Sequence, residues 1–161
     1  MKRIVKRVAA IHDLSGFGRS SLSVVIPILS TMGVQACPVP TAVLSTHTGG
    51  FKGFTFVDLT DTLTDYLSHW HQEGLDFDCI YTGFLGSPKQ VDILSPFIQR
   101  LKADDGMVVI DPVMADSGLL YKSFDQQMVI KMREFIGFAD LITPNLTEAA
   151  FLLGKSYCKN P

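Results

Sequence analysis

Two short stretches of this chain place carboxylates just beyond short apolar runs, where a metal ion or a polar ligand could be held. The first is Met107–Gly118, MVVIDPVMADSG. Met107 to Ile110 is a short apolar run rich in β-branched residues, which reads as a strand buried on both faces. Pro112 then removes a backbone donor and biases Asp111 away from the helical region. Asp111 therefore stands at the C-terminal end of a buried strand, where open α/β sheets gather their ligands. Asp116 follows in a turn closed by Gly118. The plainer reading of Asp111 is a residue that caps a turn.

The second stretch, Leu141–Leu153, LITPNLTEAAFLL, repeats the arrangement. Leu141-Ile142 is a short strand, Thr143-Pro144-Asn145 ends it, and a helix begins with Glu148 in its first turn. Asn145 and Glu148 form a capping box, the asparagine as N-cap and the glutamate reaching back. They are equally a polar pair at a helix N-terminus, able to hold a hydrated Mg²⁺ near nucleotide phosphates. The two readings are compatible.

Other polar stretches are weaker. In Ser45–Gly50, STHTGG, no acid neighbours His47, and the chain has no G-x-S-x-G elbow, which argues against a serine hydrolase. Gly49, Gly50 and Gly53 suit a loop that moves over a ligand. Gly16-Phe17-Gly18-Arg19-Ser20-Ser21 invites a dinucleotide fingerprint, but Ser21 occupies the third glycine position. No acidic residue occurs between Asp13 and Asp58 to hold a ribose. A flexible turn under a bound ring fits better. Gly154-Lys155-Ser156 imitates the end of a P-loop, yet Ala149 stands where the first glycine belongs, so a glycine C-cap is the better reading. Gly83 in Thr82-Gly83-Phe84 lets a ligand approach the backbone, and Phe84 either stacks on an aromatic ring or packs in the core.

The elements that position these residues alternate. Strands are expected at Val8–His12, Val34–Val39, Thr41–Leu44, Phe77–Tyr81, Met107–Ile110 and Leu141-Ile142. Pro38 and Pro40 make the second an edge or terminated strand. Helices are expected at Arg19–Met32, Asp58–His71, Pro88–Lys102 with a kink at Pro96, Asp125–Phe138, and from Asn145 to Leu153. About five β–α alternations demand a mostly parallel sheet with right-handed crossovers and helices on its faces. The strand ends at His12-Asp13, Thr41–Thr48, Thr82-Gly83, Asp111 and Thr143 then collect along one edge, where all the polar signatures fall.

At 161 residues, with 47% hydrophobic and 19% charged, the chain suits one domain with a real core, residues 1–161. A net charge of −2 implies no nucleic-acid partner, and no apolar run has the length of a membrane span. Lys2, Arg3, Lys6 and Arg7 precede an apolar run too short for a signal peptide. Cys37, Cys79 and Cys158 form no C-x-x-C pair, so reduced thiols in a cytoplasmic protein are expected.

DPVMADSG and ITPNLTEA, with TGFLGS at Thr82–Ser87 and STHTGG at Ser45–Gly50, resemble the ribokinase superfamily. Within it they are similar to the vitamin B6 kinases and the related hydroxymethylpyrimidine kinases. The resemblance runs from about Val8 to Gly154, and four motifs in this order are specific where one would not be. It implies a three-layer α/β/α fold and phosphorylation by ATP of a hydroxymethyl group on a small heteroaromatic ring. B6 vitamers are the favoured substrates and hydroxymethylpyrimidine comes second. It also implies that Asp111, Asn145 and Glu148 hold Mg²⁺, and that Asp111, Asp116, Thr143 and Asn145 sit near the phosphates. Asp13, Ser45, His47, Thr48 and Phe84 would contact the ring substrate. Asp13 departs from the serine that B6 kinases often carry and leans toward the pyrimidine kinases. A homodimer is expected, since the family commonly dimerises. The family's catalytic base is an Asp in a G-x-G-D motif well beyond the N-x-x-E segment, and these 161 residues contain no G-x-G-D. A C-terminally truncated kinase domain, inactive alone, is the expectation; a non-catalytic ligand-binding domain is the competing class.

Overall fold

The computed structural model describes residues 4–158; Lys2, Arg3 and Pro161 lie outside them. In chain order the first elements are β1 (Arg7–Phe17), α1 (Leu22–Thr31), β2 (Gln35–Thr46), β3 (Phe56–Asp58), α2 (Thr60–Gln72) and β4 (Phe77–Thr82). They are followed by α3 (Pro88–Leu101), β5 (Lys102–Ile110), β6 (Ala115–Asp116), β7 (Leu119–Leu120), α4 (Gln126–Phe135), β8 (Leu141–Ile142) and α5 (Leu146–Leu153).

The sheet is built outward from β1, in which Val8 to Asp13 are all buried. Its six strands run in the order β3-β2-β1-β4-β5-β8. All neighbours are parallel except β3, which lies antiparallel on β2. From β1 the chain steps one way through α1 to β2, then returns past β1 through α2 to β4. Right-handed crossovers in opposite directions put α1 and α2 on opposite faces. The burial pattern agrees. Ala9, Ile11, Ile80, Val108 and Ile110 share one core with Leu63 and Leu67 of α2, Val91 and Leu94 of α3, and Met128 and Met132 of α4. The alternate residues Val8 and Ala10 face the other way, on the side where α1 buries Leu22. The expected α/β sheet with helices on both faces is thus what forms. The α1 layer is narrow: it covers β1 and β2, while Met107 on β5 and Leu141 on β8 remain exposed.

Several boundaries differ from the sequence expectation. β1 continues through Ser15–Phe17, because beyond a register shift at His12/Leu14 it pairs with Leu44 and Thr46 of β2. The glycine-containing segment read as a turn is therefore strand up to Phe17. Consequently α1 begins at Leu22 rather than near Arg19. β2 is a single strand running through both prolines. The Gln35 N–H donates to the Lys6 carbonyl at 2.8 Å, so odd positions face β1 and Pro38 and Pro40 turn their missing donors outward. β5 begins at Lys102 rather than Met107, pairing first with Phe77 across another register shift. α3 runs uninterrupted through Pro96.

One buried side chain ties the β2, α2 and α3 ends together. Gln90 is fully buried; its amide donates to the Thr41 carbonyl at 2.9 Å and the Thr60 hydroxyl at 2.9 Å, and its Oε1 accepts from Gly86 N–H at 2.8 Å. Thr41 in turn donates its hydroxyl to the Phe84 carbonyl at 2.9 Å, so this knot fixes the turn after β4. Gln90→Leu keeps the volume but orphans buried groups, and should cost about 2–3 kcal/mol in urea unfolding. An unchanged midpoint would show that the turn finds other partners.

Candidate functional site

The strand order reverses direction between β1 and β4, and it is at such a switch point that open sheets bind ligands. A cleft opens there. Asp13, Ser20 and Ser21 line it from the β1–α1 connection, and Leu44, His47 and Thr48 from the end of β2. Phe84 after β4, with Val113 and Tyr121 after β5, completes it.

Asp13 is buried, and its carboxylate accepts from the Ser15 hydroxyl at 3.1 Å and from the Ser21 hydroxyl. Ser21 adopts φ +51°, a backbone region that a non-glycine residue enters at a cost of about 1–3 kcal/mol. The same residue starts α1, its carbonyl accepting from Val24 and Val25 N–H. Gly18, at φ +112°, packs so closely on His47 that a Cβ would lie 2.1 Å from the imidazole Cδ2. His47 accepts the Gly49 N–H on Nδ1 at 3.1 Å and meets the Phe51 ring edge-on at 5.1 Å. Phe84 packs 5.5 Å from Phe124 as well as lining the cleft. Ser45 is placed differently: its hydroxyl accepts from Thr55 N–H at 2.9 Å, and it is not among the cleft residues. Beside the cleft, His12 is buried edge-on against Tyr81 at 4.4 Å. Burial pulls its pKa down to about 4, partly opposed by its bond to the Tyr81 backbone. Gly83 is obligatory beside it, since a Cβ there would lie 2.1 Å from the His12 ring.

Over β5 and β8 stands an acidic group. Burial pushes the Asp111 carboxyl upward from its ordinary value, and a hydrogen bond with the Thr143 side chain partly reverses this. Asn145 and Glu148 form the capping box in full: the Asn145 side chain accepts from Glu148 N–H, and Glu148 Oε2 accepts from Asn145 N–H, each at 2.9 Å. The same residues also stitch α5 to the β6 region. Glu148 Oε1 accepts from Met114 N–H at 3.1 Å, Asn145 Nδ2 donates to the Ala115 carbonyl at 2.8 Å, and Gly118 N–H donates to Thr147 Oγ1 at 3.0 Å. Burial raises the Glu148 pKa, backbone N–H donors lower it, and the Asp111 charge raises it further. Asp116 sits at the exposed turn of the β6–β7 hairpin, accepting from Ser117 N–H at 2.7 Å.

Tyr121 joins the two halves. It lines the cleft, and burial together with the charges of Glu148, Asp116 and Asp111 holds its phenol above the ordinary range. Of the residues singled out in the sequence, Asp13, His47, Thr48 and Phe84 thus meet in the cleft, and Asp111, Thr143, Asn145, Glu148 and Asp116 gather beyond Tyr121. Tyr121 itself gave no motif; its sole signal was an aromatic side chain just past the Gly118 turn.

Known proteins share this fold. The phosphomethylpyrimidine kinase family model matches residues 26–160. A Bacteroides thetaiotaomicron protein, assigned provisionally to the phosphomethylpyrimidine kinases and crystallised with pyridoxal, superposes with a TM-score of 0.93 at 54% identity. That match covers 98% of this chain and 55% of the other. The pyridoxal kinase of Lactobacillus plantarum gives a TM-score of 0.91 at 37% identity, over 97% of this chain and 55% of that one. The pyridoxal kinase PdxY of Paraburkholderia xenovorans is 27% identical over 164 residues, 94% of this chain and 54% of its own length. The chain therefore spans about half the length of the relatives it matches. With the family model extending from within α1 past the end of α5, over the ends of β2, β4 and β5 that line the cleft, the chain belongs to the phosphomethylpyrimidine kinase family.

Proposed function

We propose that the whole protein transfers a phosphoryl group from ATP to the hydroxymethyl group of a B6 vitamer: pyridoxal, pyridoxine or pyridoxamine. The observation that carries this is an aromatic-walled cleft beside an acidic group on one sheet edge, joined by Tyr121. In-line transfer needs a held acceptor, neutralised phosphates and a base. The cleft supplies the first, with Asp13, Thr48 and Phe84 orienting the ring and His47 packing the loop over it.

Magnesium would supply charge neutralisation at the phosphates. The donor set fits a hydrated ion rather than an all-protein cage. Among the described residues no three His, Cys, Asp or Glu side chains form a metal cluster. Both Glu148 oxygens and the Asn145 amide are already engaged with backbone. Mg²⁺ commonly keeps several waters and takes one or two carboxylates, which Asp111 and Glu148 provide. Asp116, Thr143 and Asn145 would line the phosphate path.

A homodimer belongs to the same reading: β3 is an edge strand that exposes Phe56 and Val57, a surface suited to a second copy. A cytoplasmic location fits cysteines too widely spaced for a C-x-x-C pair, and no helix among the described residues is long and apolar enough to cross a membrane. Hydroxymethylpyrimidine is the second reading, favoured by the family model itself. Calorimetry with pyridoxine and hydroxymethylpyrimidine decides between them. Tighter pyridoxine binding is expected; the reverse order would assign the pyrimidine, and silence from both would remove the cleft as a ring site.

A further inference from the structure

The cleft carries a charge that the protein does not answer. Asp13 is buried, yet among the described residues its two oxygens accept only from the neutral hydroxyls of Ser15 and Ser21. Among the described residues no ion pair reaches it, and neither lysine nor arginine lines the cleft. Its histidine neighbours do not supply the charge. His12 turns its ring to Tyr81 and is kept neutral by burial. His47 accepts a hydrogen bond on Nδ1, which requires that nitrogen to be unprotonated. Buried carboxylates are ordinarily paired with a cation.

We propose that the ligand brings the missing charge: Asp13 is the counter-ion of a protonated ring nitrogen, so the cleft selects a pyridinium over a neutral ring of the same shape. The inference rests on the B6 reading and names the ligand atom that the site recognises. The supporting shell is built for an ionised acceptor. Two hydroxyls donate to Asp13 and leave further lone pairs on its oxygens. Ser21 holds its hydroxyl there from a left-handed backbone conformation, so this orientation is imposed by the fold. Phe84 and Tyr121 offer aromatic walls, which favour a cationic ring over a neutral one. β4 alone separates β1 from β5, so Asp13 and Asp111 stand about 10 Å apart across the strand ends. A ring anchored at Asp13 therefore reaches toward the acidic group.

The test is calorimetry on the whole protein with two ligands. One is pyridoxine, whose ring nitrogen is its only basic nitrogen. The other is its benzenoid analogue, with C–H in place of that nitrogen. The wild-type protein should bind pyridoxine about 10- to 100-fold more tightly. Asp13→Asn and Asp13→Leu should bring that ratio to near one, by weakening pyridoxine far more than the benzenoid ligand. A ratio that survives in Asp13→Asn overturns the proposal, since a neutral acceptor would then suffice. Equal weakening of both ligands also overturns it and makes Asp13 a support for the cleft wall. The wild-type ratio decides alone if neither variant folds: a value near one is fatal. Binding of hydroxymethylpyrimidine with no binding of pyridoxine overturns the B6 reading and this inference together. Pyridoxine binding that ignores position 13 overturns this inference only.

Discussion

Glu148→Ala should lower the unfolding free energy by about 3–5 kcal/mol, more than any other single change on this sheet edge. The side chain is buried, and three backbone N–H groups depend on it, those of Asn145, Met114 and Ala115. Hydrogen bonds to a charged group are stronger than neutral ones, and alanine leaves each buried donor without a partner. The loss would weaken the hold of the first turn of α5 on the Met114–Gly118 segment, which carries Asp116, leaving the Asn145–Ala115 and Thr147–Gly118 bonds. Glu148→Gln should also destabilise, because its amide presents N–H to a backbone N–H at one of the two oxygens' positions. The acid–base sign is set by the upward shift at Glu148. A folded value above the unfolded one gives stability that is full below the ordinary glutamate value of 4.5 and lost as pH rises through the raised value. The stability advantage of wild type over Glu148→Gln should therefore be largest at acid pH and shrink toward neutrality. Urea titrations across that range measure it; a gap that widened with pH would mean that the backbone donors outweigh burial. Asp111→Asn is then the cleaner probe of metal-dependent nucleotide affinity, since the Asp111 side chain anchors no such set of backbone donors.

The strand-end carboxylate and the capping box were legible because each is a local pattern: an apolar run stopped by proline, and an N-x-x-E spacing at a helix start. The sheet was legible because apolar runs and helical periods alternate. What escaped the sequence depends on distant pairing. Ser15–Phe17 carries turn-like glycine signals and becomes strand because β2 extends far enough to pair with it. The polar start of β5 has no strand period; Lys102 pairs with Phe77, and the register then shifts before Met107. Ser45 lies in the most chemical loop but turns to Thr55, a partner set by where β3 returns. Tyr121 reaches the cleft because Ser117 and Gly118 both adopt positive φ and fold the β6–β7 hairpin back on itself. Its N–H then donates to the Met114 carbonyl at 3.0 Å. No feature near Tyr121 in the sequence shows that return.

Residues 1–161 alone should form no measurable pyridoxal phosphate from pyridoxal and ATP, although their own side chains line the cleft. They supply a ring site and the Asp111–Glu148 pair. They contain no G-x-G-D segment, the feature that the family resemblance assigns to the base and to the backbone donors around the moving phosphoryl group. Loss of a general base costs about 10²–10⁴-fold. Loss of an oxyanion-type donor costs about 10²–10³-fold more. The product of the two puts turnover below detection even with the acceptor bound. Chromatographic detection of the phosphorylated vitamer, with the Asp111→Asn protein purified in parallel to exclude a host kinase, gives the measurement. Turnover that vanished with Asp111→Asn would overturn the expectation and require another carboxylate as base. Asp13 is poorly placed for that role, since two hydroxyls donate to it and the ring nitrogen is its proposed remaining partner. Asp116 would remain, on an exposed hairpin turn with one oxygen committed to Ser117 N–H and its charge felt by Tyr121 on the cleft wall. Asp116→Asn should then abolish the activity while leaving pyridoxine affinity intact.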